Sequence, residues 1–262
     1  MDNLAFDTLN MNDLFNNNYS PIKGEFIFHI PHSSTYIPNN CNFIVDAEAI
    51  ENEIHMFTDW HIDKIFNVKN VTEIIAPYSR LFCDVERLLT NEPMEKYGRG
   101  FYYTKTSDGQ ELRISCLNYV NHVREYYYNQ HHKKLSDLVH NKLNLYNRAI
   151  IIDCHSFLET SIIGNAEIAE FPDICIGTDE FHTPKFLIDI FVDKFKSLGY
   201  SVEINKPFSG TMIPQDNYMK NPNVQGIMIE INKRLYMHGN ATHPIKLMRL
   251  NEVISSIFET LT

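Results

Sequence analysis

Three residues capable of metal or proton chemistry stand at the ends of apolar runs. His32 follows Glu25–Ile30 (EFIFHI) across Pro31, His155 follows Ala149–Cys154 (AIIIDC), and Glu230 lies within Gly226–Ile231 (GIMIEI). Each run is short and too apolar to have a wet face, which predicts three buried strands. Ligands of open α/β sheets bind at the carboxyl ends of the strands, so the three ends converge on one rim. Alone, His32 could cap a Pro/Ser turn and His155 could be a hydrogen-bonded core histidine. Together, two histidines at strand ends are what a His–His–carboxylate zinc site needs, and a catalytic zinc requires a third protein ligand and a position open for water.

A third protein ligand is sought in Thr58–Asp63 (TDWHID). Residues two apart on a helix lie about 200° apart, so Asp59 and His61 cannot face the same ion if this segment is helical. Asp59 is preferred because it balances the charge of a two-histidine site, whereas His61 falls on the apolar stripe. Along the Glu230 strand, Gly226, Met228, Glu230 and Asn232 share one face. A carboxylate buried there needs a metal-activated water, an arginine or a hydrogen-bond network. Glu230 is therefore the candidate general base, the alternative being an ion pair with Arg234 or Arg80. Asn232 is a candidate substrate contact. Arg80 and Arg87 flank a predicted strand, Leu81–Val85, and arginine suits a bidentate grip on a substrate carboxylate. Asp153 is either a supporting acid or a salt-bridge partner, and His131-His132 reads as a solvated helix face. The sequence holds no G-x-S-x-G, H-E-x-x-H, P-loop or G-x-G-x-x-G.

The elements that must position these residues alternate between strand-like and helix-like runs. Further strands are predicted at Val71–Ala76, Ile174–Ile176 and Val202–Ile204. Helices are predicted over Val45–Phe66, Arg113–Tyr146 and Pro184–Leu198, and from about Thr242 to the end; residues 91–112 read as a loop or hairpin. This alternation argues an α/β three-layer αβα sandwich with a mostly parallel mixed sheet. Residues 1–20 read as a loosely ordered arm and 21–262 as one domain.

The balance of 23 basic and 33 acidic residues leaves a formal charge of −10. That offers nucleic acid or an anionic membrane little to bind and favours a small-molecule partner. Five scattered cysteines without a C-x-x-C pair, no visible signal peptide and no membrane-length apolar run are the marks expected of a cytoplasmic protein.

Seven segments, in order, resemble the N-formylglutamate amidohydrolase family. They are IPHSSTYIP at 30–38, TDWHID at 58–63, SRLFCDVER at 79–87, IIDCHS at 151–156, FPDICIGT at 171–178, NKPFSGT at 205–211 and EINKRLYM at 230–237. The resemblance implies a fold similar to the zinc carboxypeptidases. It also implies a single Zn2+ on His32, His155 and an acid from 58–63, carboxylate-binding Arg80 and Arg87, and catalytic Glu230. The implied reaction is hydrolysis of an N-acyl amino acid, N-formyl-L-glutamate to L-glutamate and formate. Three places depart from the family's pattern: Ser34 stands where glycine is common, Glu86 stands for the asparagine of D-x-N-R, and the stretch after Gly177-Thr178 lacks the usual glycine and small residues. Rival expectations are an amidohydrolase or carboxypeptidase-like enzyme on another N-acyl amino acid or short peptide, and a non-catalytic binding protein on the same fold.

Overall fold

The apolar runs assemble into one six-stranded sheet of order β2-β1-β3-β6-β4-β5. Its strands are β1 (Phe26–Ile30), β2 (Thr72–Ile75), β3 (Ala149–Phe157), β4 (Ile174–Gly177), β5 (Val202–Ile204) and β6 (Val224–Asn232). The structure, a computed structural model, describes residues 21, 23–39, 41–158 and 170–261, so the expected arm at 1–20 lies outside the described residues. Every pairing is parallel except β4 with β6, so the carboxyl ends of β1, β3 and β6 share one rim. A two-residue hairpin pair, β7 (Met237–His238) and β8 (Ala241–Thr242), stands apart from the sheet.

Period-2 alternation divides the central strands between two faces. Phe26, Phe28, Ile152, Cys154, Ile227 and Ile229 point to one side. There they are covered by α2 (Ile62–Ile65), α5 (Lys185–Ser197) and α6 (Pro244–Glu259). Phe258 closes this layer, meeting Phe26 and Phe28 edge-on at centroid distances of 5.0 and 4.9 Å. The opposite face carries Ile27 and Ile151 under Leu135 and Val139 of α4 (Asn129–Tyr146). The layers are those of the expected αβα sandwich with a mostly parallel mixed sheet.

Farther along the same opposite face, polar side chains replace the apolar ones: His29 on β1, Asp153 and His155 on β3, and Glu230 on β6. Register sets this row, with His29 beside Asp153 and His155 beside Glu230.

Three expected elements change. Val45–Phe66 is not one helix: α1 (Ala47–Phe57) begins on an Asp46 side-chain cap and stops, and the short α2 follows after Thr58–His61. His61 adopts the left-handed region at φ 63°, which breaks the helical path. Leu81–Val85 forms no strand. Its apolar residues divide between two clusters, Leu81 with Tyr103 and Leu112, and Cys83 and Val85 with Phe82 and Tyr128, so a short buried run mimicked strand periodicity. The helix expected over Arg113–Tyr146 begins at α3 (Leu117–Val123) and passes through a π-helical turn at Arg124–Tyr128 before α4.

His131 and His132 are not on a solvated face. His131 is buried, its Nε2 3.0 Å from Nε2 of His29, whose Nδ1 lies 2.7 Å from Asp153 Oδ1. The carboxylate fixes Nδ1 as the donor of His29, leaving Nε2 to accept from His131. Nε2 of His132 donates to the Val85 carbonyl at 2.7 Å. Burial pushes His131 down to about 2 and His132 down to about 4. Both are neutral in the fold and titrate near 6.5 once unfolded, so the unfolded chain takes up protons first as pH falls. Their contribution to stability is complete above pH 6.5 and is lost as pH falls toward 4. We expect His132→Gln, which keeps a donor for Val85 but does not titrate, to show a shallower fall of melting temperature from pH 7 to 5 than the unsubstituted protein. Equal slopes by differential scanning calorimetry would contradict this.

Candidate active site

His32 leaves the end of β1 through Pro31, and Asp59 is brought to it by the break between α1 and α2. The Asp59 amide donates to the His32 carbonyl at 2.9 Å. The break is held on two further sides: Lys233 Nζ donates to the Thr58 carbonyl at 2.6 Å and the Tyr236 hydroxyl to the Trp60 carbonyl at 2.8 Å. His61 turns away, its Nε2 2.7 Å from Thr242 Oγ1 on β8. The helical premise that separated Asp59 from His61 therefore does not apply, yet only Asp59 reaches the histidines.

Nδ1 of His155 lies 3.0 Å from Asp59 Oδ2, and Nδ1 of His32 lies 3.6 Å from the same oxygen. His32, Asp59 and His155 each offer an atom within 4.8 Å of the others, and all three are buried. Glu86, Asp153 and His155 form a second group of the same kind, through Nε2 of His155 at 2.8 Å from Glu86 Oε1 and 3.2 Å from Asp153 Oδ1.

Whether a metal fits is decided by the orphans. His32 Nδ1 is buried without a hydrogen-bond partner, and so is Oε2 of Glu230. Two imidazole nitrogens and one carboxylate oxygen match the donors a zinc ion takes. The far nitrogen of His32 is already fixed, Nε2 to Asp84 Oδ1 at 2.8 Å, the arrangement by which carboxylates orient metal-binding histidines. The donor set fits a divalent ion.

Asp84 sits in a tight turn whose Oδ1 also accepts from the Glu86 amide at 3.1 Å. Its Oδ2 accepts from Arg80 Nε and Nη2 at 3.0 and 2.8 Å and from the Tyr103 hydroxyl at 3.0 Å, with Arg87 Nε 3.4 Å away. Burial works against its charge, but Arg80, His32 and Arg87 outweigh it and hold the carboxyl well below the usual range.

Glu230, opposite His155 on β3 and Cys175 on β4, is nearly enclosed. Burial pushes its carboxyl up to about 8; His155 works against that shift, while Asp59 and Glu86 add to it. It thus exchanges a proton near neutral pH, as a general acid–base group must. Burial disfavours charge on His155 too, but Glu86, Asp153 and Asp59 prevail and hold it well above the ordinary histidine range. Lys233, which sequence reasoning overlooked, lies in the same cavity wall, its pKa lowered by burial although Asp59 and Glu230 oppose this.

Arg80, Arg87, Glu86 and Glu230 line one cavity of about 1150 Å³ together with His32, Asp59 and His155. Asn232 is not brought to it. Its Oδ1 accepts from the Arg234 amide and its Nδ2 donates to the Pro172 carbonyl, because β6 ends there and Asn232 caps the following turn. Ser34 is likewise outside the lining; its hydroxyl donates to the Pro77 carbonyl and accepts from the Tyr36 amide. Among the described residues no helix is long and apolar enough to cross a membrane.

A parallel-centred α/β sheet with a buried His–Asp–His group at its carboxyl rim, in one cavity with a buried glutamate and two arginines, has the groups that hydrolysis of an amide requires. The model of the N-formylglutamate amidohydrolase family matches residues 24–237, and the chain belongs to that family. A crystal structure of N-formylglutamate amidohydrolase from Ralstonia eutropha JMP134 is similar, with a TM-score of 0.78 and 17% identity over 93% of this chain and 95% of that one. A gene product from Agrobacterium tumefaciens is similar with a TM-score of 0.63 and 16% identity, covering 91% of this chain and 92% of its own. No curated protein matches by sequence.

The environment of His155 can be tested without any ligand. In the metal-free protein we expect its ring to stay protonated well above neutral pH by NMR titration, and Glu86→Gln to lower its midpoint by about one unit or more, since one charge partner is lost. An unchanged midpoint would contradict the role of Glu86.

Proposed function

We propose that this chain is a zinc-dependent hydrolase that cleaves the amide of an N-acyl amino acid, N-formyl-L-glutamate to L-glutamate and formate. The observation that carries the reading is the pairing of two buried orphans, His32 Nδ1 and Glu230 Oε2, around the His32–Asp59–His155 group. His32, Asp59 and His155 would hold the ion. Zinc supplies, when bound, a Lewis acid that polarises a carbonyl and lowers the pKa of a water toward neutrality.

The chain's own residues do the rest. Glu230 takes a proton from the attacking water on Oε2 and returns it to the leaving amine nitrogen. Asp84 holds His32 from the far side of its ring and keeps Arg80 in place. Arg80 and Arg87 face the cavity beside this group and orient the substrate carboxylate, which sets the amide against Glu230. Asp153 and Glu86 fix the ring of His155 through Nε2, leaving Nδ1 toward Asp59.

One observation favours a second reading within the same chemistry. The cavity, at about 1150 Å³, exceeds the range of roughly 300–1,000 Å³ usual for small-ligand sites. That leaves space for a longer acyl group or a short peptide, in a cavity that Glu86 also lines.

Glu230→Gln keeps the shape of the site and removes the proton acceptor. Its expected effect is a loss of roughly 10²–10⁴-fold in kcat with zinc content unchanged, measured by formate release and by metal analysis of the same preparations. Full activity in Glu230→Gln would remove Glu230 as the base, and activity indifferent to exhaustive metal removal would sink the zinc reading.

A further inference from the structure

We infer that Arg99 is a specificity-determining residue of this chain, the one that holds the side-chain carboxylate of the substrate. The inference rests on the hydrolase reading above and deepens it.

Arg99 follows a 3-10 turn at Pro93–Tyr97 that ends on Gly98. Gly98 has φ 69°, and a side chain there would strike Lys105 and Thr104, so glycine is what lets the chain reverse at this point. The reversal, closed by the Arg99 amide donating to the Met94 carbonyl at 3.1 Å, turns Arg99 inward. The residue is only 7% exposed and lines the same cavity as Arg80, Arg87 and Glu230.

Its guanidinium is held but not neutralised. It stacks over the Phe57 ring at 4.7 Å and donates through Nη2 to the Ser107 carbonyl at 3.2 Å. Nε is buried with no hydrogen-bond partner. Among the described residues, no carboxylate lies within salt-bridge distance of Arg99, whereas Arg80 and Arg87 both reach Asp84. Glu53, an acid whose charge acts on Arg99, gives its oxygens to the amide and hydroxyl of Ser107.

Asp84 is therefore the single carboxylate shared by Arg80 and Arg87, and Arg99 adds a third cation to the same wall. A buried guanidinium with an open donor is costly unless an anion meets it. One substrate carboxylate suffices for the Arg80–Arg87 pair. A second, on the side chain of the amino acid, is what Arg99 is built to meet.

The test compares the full-length zinc-loaded enzyme with Arg99→Met and Arg99→Lys on N-formyl-L-glutamate and on N-formyl-L-glutamine, which replaces the side-chain carboxylate by a neutral amide. Arg99→Met is expected to lower kcat/KM for formylglutamate on the order of 100-fold, chiefly through KM, and to cost at least tenfold less on formylglutamine. In parallel, glutarate is titrated calorimetrically into the metal-free proteins, and Arg99→Met is expected to weaken its binding by at least about tenfold. Equal losses on the two substrates with unchanged glutarate affinity would overturn the inference. If Arg99→Met does not fold, Arg99→Lys decides, because it keeps the charge but not the fork: a loss confined to formylglutamate supports the inference and an equal loss on both overturns it. If the unsubstituted enzyme cleaves neither compound, the hydrolase reading fails, and the glutarate titration still decides the role of Arg99.

Discussion

The site is organised by the competition of three carboxylates for one buried imidazole. His155 presents Nδ1 to Asp59 and Nε2 to Glu86 and Asp153, all within 3.2 Å, on a ring that is itself buried. So many acids cannot stay buried around a single ring unless a cation is there, whether the protonated ring itself or a metal. Each surrounding element is shaped by that demand. β3 must continue past its apolar run to reach His155, β6 must pair in the register that sets Glu230 beside it, and α1 must stop early enough to deliver Asp59.

The charges around this ring are sorted rather than mixed. Acids gather at the carboxyl ends of β3 and β6, while the guanidiniums of Arg80 and Arg87 gather on Asp84, one histidine away. His32 joins the two regions, with Nε2 on Asp84 and Nδ1 toward Asp59 and Glu86. On the proposed function, a negatively charged substrate end would be drawn to the arginines and its reacting carbonyl set toward the acid side, so that electrostatics would orient it before any close contact formed. On the far side of Asp153, His29 and His131 extend the hydrogen-bonded row into the layer under α4. His29 holds the Asp153 carboxylate in place through Nδ1.

Much of this was legible in the sequence because buried strands of a parallel sheet advertise themselves. AIIIDC and GIMIEI have no wet face, so a charged residue on such a strand stands out, and strand alternation then places Asp153, His155 and Glu230 on one side. Long-range geometry was not legible. Nothing local distinguishes Leu81–Val85 from a strand, since its apolar residues serve two separate clusters. The break at Thr58–His61 depends on Lys233 and Tyr236, nearly 180 residues away, and it is this break that separates Asp59 from His61. His131 and His132 look solvent-facing by composition, yet α4 turns them toward the sheet and the Val85 turn. Asn232 follows the alternation of Glu230 but falls where β6 ends, and its amide is consumed in capping.

The proposed function turns on a metal held by His32, Asp59 and His155. Its most direct measurement is anomalous diffraction from crystals of the protein grown with zinc, with data collected on both sides of the zinc absorption edge. The expected result is a single strong anomalous peak in contact with Nδ1 of His32, Nδ1 of His155 and the Asp59 carboxylate, at about 2.0–2.2 Å from each. A peak held instead by Glu86, Asp153 and Nε2 of His155, or no peak in the cavity at saturating zinc, would contradict it.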